Sequence, residues 1–247
     1  MRTGHVLGLW RHPVKSMRGE AVADARLGVC GMGGDRVHGV YDGRADGVRR
    51  LTARDAPGLL AWRAGYPAAG ADLDPVAPPP ATVTGPSGQC WEWGDPALRV
   101  ALQDDLGRPV VLRRDIEGIY DVPRSVLVTT EASRLALERE LGAPVDVRRF
   151  RTNLHLDTDT SAWAEPGWAG AALRLPGGAA LELFKPCRRC VIPTRDPDTR
   201  RKWPELLRQL EREHELTFGI YGRVVAGGTI SVGDRVELES VDAATAA

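Results

Sequence analysis

The chain has 247 residues, and its 33 Lys and Arg balance 33 Asp and Glu, so its formal net charge is zero. That length supports one large or two small domains around a buried core, and the balanced charge removes the long-range field that would select nucleic acid or an anionic membrane as a partner. No segment approaches the roughly 18 apolar residues of a membrane span, and Met1 to Trp10 lacks the basic and apolar regions of an export signal, so the expectation is an unexported, cytoplasmic protein.

Taken in order, 6–10 reads as a strand that runs into Arg11-His12-Pro13-Val14-Lys15-Ser16, where proline ends it in a loop. A second strand is expected over 21–29, then Gly31-Met32-Gly33-Gly34-Asp35-Arg36, then a third strand over 37–41. The Ala-, Gly- and Pro-rich stretch 66–86 has no sustained period and reads as a surface excursion with short strands. Asp95 as cap, Pro96 in the first turn, the Leu98, Ala101, Leu102, Leu106 stripe and Gly107 as stop predict a helix over 95–106. Strands follow at 109–113 and 125–129, and a second helix at 130–141 ends on Gly142.

The segment 147–157 alternates and carries Arg149, Arg151 and Asn153, which would share one face of a strand. A hairpin around Pro176-Gly177-Gly178, with arms 171–175 and 179–184, delivers the chain to the cysteine motif. A third helix is expected over 203–216, then two strands within 218–239 and a flexible tail at 241–247. With about ten strands that are not separated one by one by helices, the pattern predicts a mixed α/β fold, mostly antiparallel, with three peripheral helices around a β-barrel.

Cys187 and Cys190 lie in Phe184-Lys185-Pro186-Cys187-Arg188-Arg189-Cys190, where cations favour the thiolate, the form that ligates metals or attacks electrophiles. Cys30 and Cys90 form no second pair, so neither a disulfide framework nor a four-cysteine zinc site is expected. His12, His38, His155 and His214 show no metal-binding spacing.

Several separated motifs together resemble the MOSC domain family, which shares the C-terminal domain of molybdenum-cofactor sulfurase. They are Arg11-His12-Pro13-Val14-Lys15-Ser16-Met17-Arg18-Gly19, Gly34-Asp35-Arg36 and Leu51-Thr52-Ala53-Arg54 near the start, then Arg149-Phe150-Arg151-Thr152-Asn153 and Ala164-Glu165. Pro186-Cys187-Arg188-Arg189-Cys190 with Thr194 and Asp196-Pro197-Asp198-Thr199, and Phe218-Gly219 with Gly228-Thr229-Ile230-Ser231-Val232-Gly233-Asp234, complete the set in the family's order.

The resemblance implies a smaller β-barrel-like N-terminal region over 1–115 packed on a MOSC barrel over 116–240. It implies molybdenum cofactor, a pterin dithiolene with a phosphate, whose metal takes Cys190 as protein ligand and catalytic centre. Lys15, Ser16 and Arg36 would hold the cofactor, with Arg149, Arg151, Asn153, Arg189 and Thr194 around it. Similar proteins reduce N-hydroxylated compounds, so the implied activity is two-electron reduction of N-hydroxylated or N-oxide small molecules, with electrons from a separate reductase. A persulfide-bearing Cys190 in sulfur transfer, and a non-catalytic cofactor carrier, are the alternatives. This chain departs from the pattern at Thr152, where proline is common, at Arg200, where glycine is common, and at Arg195, where a small or aliphatic residue is usual.

Overall fold

The computed structural model describes residues 2–44, 49–67, 73–116, 118–119 and 122–239; the expected tail at 241–247 and part of the 66–86 excursion lie outside them. The chain opens with β1 (Arg2–Arg11), β2 (Glu20–Val22), β3 (Asp24–Gly28), β4 (Gly31–Met32) and β5 (His38–Asp42). It continues through β6 (Arg63–Gly65), β7 (Thr82–Thr84), β8 (Cys90–Glu92), α1 (Pro96–Leu106) and β9 (Val110–Arg114). The second half contains β10 (Ser125–Thr130), α2 (Glu131–Leu141), β11 (Leu154–Thr158), β12 (Ala172–Arg174), β13 (Ala180–Arg188), α3 (Pro204–His214), β14 (Thr217–Ala226), β15 (Gly228–Ser231) and β16 (Arg235–Glu239).

Seven strands close a barrel in the order β1-β11-β10-β14-β13-β12-β16 and back to β1, with β2 paired to the C-terminal end of β1. Every pairing in it is antiparallel except β10 with β11. Closure leaves the barrel strands with few free edges. Alternate residues fill its interior, among them Val6, Leu9, Val128, Leu156, Leu181, Leu183, Ile220 and Val236. The fold is thus mixed α/β and mainly antiparallel, with three α-helices among the described residues.

The first strand belongs to the barrel and not to the small sheets that follow it: Val6 is opposite Leu156 on β11, and Gly4 is opposite Val236 on β16. In return, β15 leaves the barrel and pairs with β3, with Ile230 opposite Ala25. The two halves therefore exchange one strand each. Between β5 and β9, and around the sheet β6-β7-β8, a second core forms from Val14, Met17, Val40, Leu59, Trp62, Val83, Leu98 and Leu102. A third packs α2 and α3 against the barrel through Leu137, Phe150, Leu206, Leu210 and Phe218, where the Phe150 and Phe218 rings stack with centroids 3.7 Å apart.

The helices follow their local signals. Asp95 accepts from Ala97 N at 2.7 Å, and Gly107 closes α1 at φ 63. Thr130 accepts from the Ser133 amide and Gly142 ends α2 at φ 62. Asp95→Ala removes one cap and is expected to lower the urea unfolding free energy by about 1 kcal/mol; a change below the error of the melt would exclude the cap as a contributor.

Two sequence expectations that bear on the site are corrected. Residues Val147–Phe150 form a 3₁₀ turn, not the start of a strand: Asp146 accepts from the Arg148 amide at 2.8 Å, Arg151 ends the turn at φ 53, and the strand begins only at Leu154. The hairpin arm at 179–184 runs on to Arg188, so Pro186 and Cys187 lie within β13, where the register with β14 shifts between Leu183 and Lys185 and again between Pro186 and Arg188. Those irregularities accommodate a proline that has no amide to donate.

Candidate functional site

A small cavity of about 80 Å³ opens where the first loop, the barrel and the cysteine motif meet. The turn after β1 brings Lys15 and Ser16 to it: the Lys15 amide donates to His38 O at 2.9 Å, and Ser16 sits at φ 71. Ser16 Oγ accepts from the Ala53 amide at 3.0 Å, which leaves its O–H to donate into the cavity.

Arg36, at φ 51, reaches the same wall. Its guanidinium donates to the Asp35 carboxylate, to Asn153 Oδ1 at 3.1 Å and to Arg151 O at 3.0 Å. Asn153 is wholly buried, and its amide links three elements: Oδ1 also accepts from Leu127 N at 3.1 Å, and Nδ2 donates to Trp10 O at 3.1 Å. It aims the Arg36 guanidinium. Arg151 Nη1 donates to Met17 O at 2.5 Å and so ties the 3₁₀ turn to the first loop.

Both thiols of the motif line the cavity, Cys187 buried at 1% exposure and Cys190 exposed. Arg189 Nη1 donates to Cys187 Sγ at 2.9 Å, Nη2 donates to Phe150 O at 2.5 Å, and the guanidinium lies over the Phe150 ring. Tyr221, from β14, hydrogen-bonds Cys187; burial pushes its hydroxyl well above the ordinary tyrosine value, and the neighbouring sulfur pushes it the same way.

Lys15, Ser16, Arg36, Arg151, Asn153, Arg189 and Cys190 are brought together here. Thr194 and Arg149 are not part of this wall. Thr194 is buried in the Ile192–Thr194 3₁₀ turn, where its hydroxyl donates to Val191 O at 2.7 Å. Arg149 points away because 147–150 is a turn; it donates to Asp196 at 2.8 Å and to Pro193 O at 3.3 Å, and burial lowers its pKa. It lines a second cavity of about 650 Å³ between the barrel and the β6-β7-β8 side, which adjoins the first through Arg151 and Ile192. Sequence reasoning left Cys187 without a role and did not find Tyr221 or Ser125, which also line the small cavity. No spacing rule connects Tyr221 to a cysteine 34 positions earlier; only the β13–β14 pairing does.

The wall of the small cavity carries Lys15, Arg36, Arg54, Arg151, Arg188 and Arg189 and no carboxylate among the described residues, and Arg189 Nε is buried without a hydrogen-bond partner. Such a wall suits an anion. Among the described residues no group of three or more His, Cys, Asp or Glu is placed to hold a metal alone, so a metal here needs ligands from a bound group besides the thiol. By volume, the small cavity is below the roughly 300–1,000 Å³ of small-molecule sites and the adjoining one lies within that range.

Fold and site together define a two-part β protein: a closed barrel and a smaller β-rich region with a cation- and thiol-lined cleft at their junction. The chain belongs to the MOSC domain family: it matches the MOSC domain over residues 115–237 and the MOSC N-terminal beta barrel domain over residues 3–79. Among solved structures it is similar to the YuaD protein of Bacillus subtilis, at 14% identity and a TM-score of 0.52, over 97% of this chain and 99% of that one. YiiM of Geobacillus stearothermophilus matches at 18% identity and a TM-score of 0.35, over 47% of this chain and 54% of that one. YiiM of Escherichia coli matches at 18% identity and a TM-score of 0.32, over 47% and 54%. No curated protein matches the chain. No helix among the described residues is long and apolar enough to cross a membrane.

Proposed function

We propose that this protein binds molybdenum cofactor in the cleft and reduces N-hydroxylated or N-oxide small molecules, taking two electrons from a separate reductase. The observation that carries the reading is one wall holding the exposed Cys190 beside six cations without a carboxylate among the described residues. Lys15, Ser16 and Arg36 would hold the phosphate, two as cations and one as a hydroxyl donor, and Cys190 would supply a thiolate to the metal. Arg149, which lines the adjoining cavity, would reach the cofactor or substrate only from that side.

When bound, the cofactor supplies a metal that cycles by two electrons and accepts oxygen from nitrogen. For R–NHOH the balance is two electrons and two protons taken up, with R–NH₂ and water released. The chain's part is positional. Asp35 and Asn153 fix the Arg36 guanidinium, Tyr221 Oη keeps its proton across the neutral range, and Cys190, being exposed, would hold a metal where a small molecule could approach it.

Protein made in a host that synthesises the cofactor is expected to carry molybdenum and a fluorescent pterin. Cys190→Ser should retain the fold and lose about tenfold or more of the metal, since even outer-shell changes reach that size. Elemental analysis and oxidised-pterin fluorescence read this together; full metal content in Cys190→Ser would sink the ligand assignment. A persulfide on Cys190 without pterin, seen by mass spectrometry, would replace the reductase reading with sulfur transfer.

A further inference from the structure

We propose that the larger cavity, of about 650 Å³, is the substrate pocket and that it selects N-hydroxylated compounds whose apolar or aromatic body carries an anionic group; the assignment rests on the reductase reading above. Both parts of the fold build this cavity. The first loop gives Trp10 and Arg18, β6 and β7 give Arg63 and Thr82, and the cysteine-bearing half gives Arg149 and Arg195. Arg151 and Ile192 line it and the small cavity alike, so a molecule filling the larger one borders the wall that holds Cys190.

The lining is of two kinds. Trp10, Leu60, Ala64, Tyr66, Pro67 and Ile192 supply apolar and aromatic surface, as sites for small organic molecules require. The same lining carries six arginines and three carboxylates, Glu20, Asp196 and Asp198. Each carboxylate already has an arginine: Glu20 meets Arg11 at 2.7 Å, Asp196 meets Arg149 at 2.8 Å and Asp198 meets Arg148 at 2.6 Å. Arg63 and Arg195 line the cavity and form no ion pair among the described residues. An anionic ligand therefore finds two guanidinium groups to neutralise, whereas a cationic one meets like charge.

Both arginines leave from backbone that is already fixed. The Arg195 amide donates to Ile192 O at 2.9 Å, and Arg195 pairs with Lys202 in an isolated bridge. Arg63 pairs with Arg18 in a second bridge, beside the Ala64 amide, which donates to Arg18 O at 2.9 Å. The ordering cost on binding is thus confined to the side chains. His12, also in the lining, adds a separate requirement. Its Nε2 lies 3.2 Å from Thr152 O, which can only accept, and burial holds its pKa well below the ordinary histidine value, so the ring is neutral and Nδ1 is an acceptor. That nitrogen is buried without a hydrogen-bond partner among the described residues. An N–OH group is a donor of the kind it lacks.

The test titrates three probes calorimetrically into full-length protein purified with its cofactor: anionic 4-carboxybenzamidoxime, neutral benzamidoxime and cationic 4-(aminomethyl)benzamidoxime. The carboxylated probe should bind about tenfold more tightly than benzamidoxime, the worth of one hydrogen bond to a charged group, and the cationic probe more weakly than either. Arg63→Glu/Arg195→Glu should erase that preference at an unchanged melting temperature, with the neutral probe moving least, whereas Arg63→Lys/Arg195→Lys should keep most of it. Thr82→Trp, at a position that lines this cavity and not the small one, should weaken all three probes. Equal affinities, a preference that survives charge reversal, binding unmoved by Thr82→Trp, or binding found only in cofactor-free protein, which would give the cavity to the cofactor itself, each overturns the assignment. Turnover driven by a chemically reduced dye tests the reductase reading separately: charge-selective binding with no probe reduced removes that reading and leaves an anion-selective pocket, whereas reduction of benzamidoxime without any charge preference removes the pocket and leaves the reading.

Discussion

Asp35→Ala is expected to lower the unfolding free energy by about 3–5 kcal/mol, the cost of leaving one member of a buried ion pair alone. Asp35 is 1% exposed and Arg36 8% exposed, so neither charge is relieved by water. One carboxylate oxygen accepts from the His12 amide at 2.6 Å while the other takes the Arg36 guanidinium. Removing the carboxylate leaves that amide unmatched and adds an uncompensated cation to a wall that already holds Lys15 and Arg151. Asp35→Asn keeps an acceptor for the His12 amide and should fall between wild type and alanine. Urea unfolding at neutral pH measures all three, and a loss under about 1 kcal/mol for alanine would mean that the pair does not support the fold.

The same pair explains why the site is built before anything binds. Asn153 and Asp35 hold Arg36 from two chain segments 118 positions apart, so the guanidinium is aimed by the closed barrel and not by a ligand. An anion entering this wall finds its donors already placed, which reduces the ordering cost of binding.

Features set by neighbours in sequence were legible in it. Asp95 with Gly107, and Thr130 with Gly142, mark α1 and α2 because caps act over one turn. The separated motifs placed Lys15, Ser16, Arg36, Arg151, Asn153, Arg189 and Cys190 in one wall, which the structure assembles. What failed depended on distant partners. Alternating Arg149, Arg151 and Asn153 resemble a strand face, yet the Asp146 cap and the left-handed Arg151 turn this segment away from its pairing partner. The contact between Cys187 and Tyr221 follows from the pairing of β13 with β14, and β1 shows no local sign that it completes a barrel whose last strand, β16, lies more than 200 positions away. Of the expected strands, 21–29 is broken into β2 and β3, and the last stretch gains a third strand because β15 turns out to pair with β3.

Stability is expected to fall as pH drops from about 6.5 to about 4, with His38 alone contributing about 3 kcal/mol of the loss at about 1.4 kcal/mol per unit. His38 is fully buried, and burial holds its pKa at about 4, with Arg114 acting in the same direction and the Pro13 carbonyl, 3.2 Å from Nδ1, opposing it. The unfolded chain takes up this proton near pH 6.5 and the folded chain does not until about 4. In that window the unfolded state binds more protons, so stability rises with pH and is lost on acidification. His12 acts in the same sense: burial, then Arg151, Arg36 and Lys15, push it well below the ordinary histidine value. The depressed carboxylates, such as Asp196, which is held down first by the Thr199 amide, lose their contribution only below the ordinary carboxylate range, so they do not mask the histidines. Urea melts across this range on wild type and His38→Leu separate the contribution: the variant starts from a different intercept, because the contact with Pro13 O is gone, but it should lose up to about 1.4 kcal/mol per pH unit of slope. Parallel pH profiles for the two proteins would show that His38 takes up its proton in the folded state as readily as in the unfolded one.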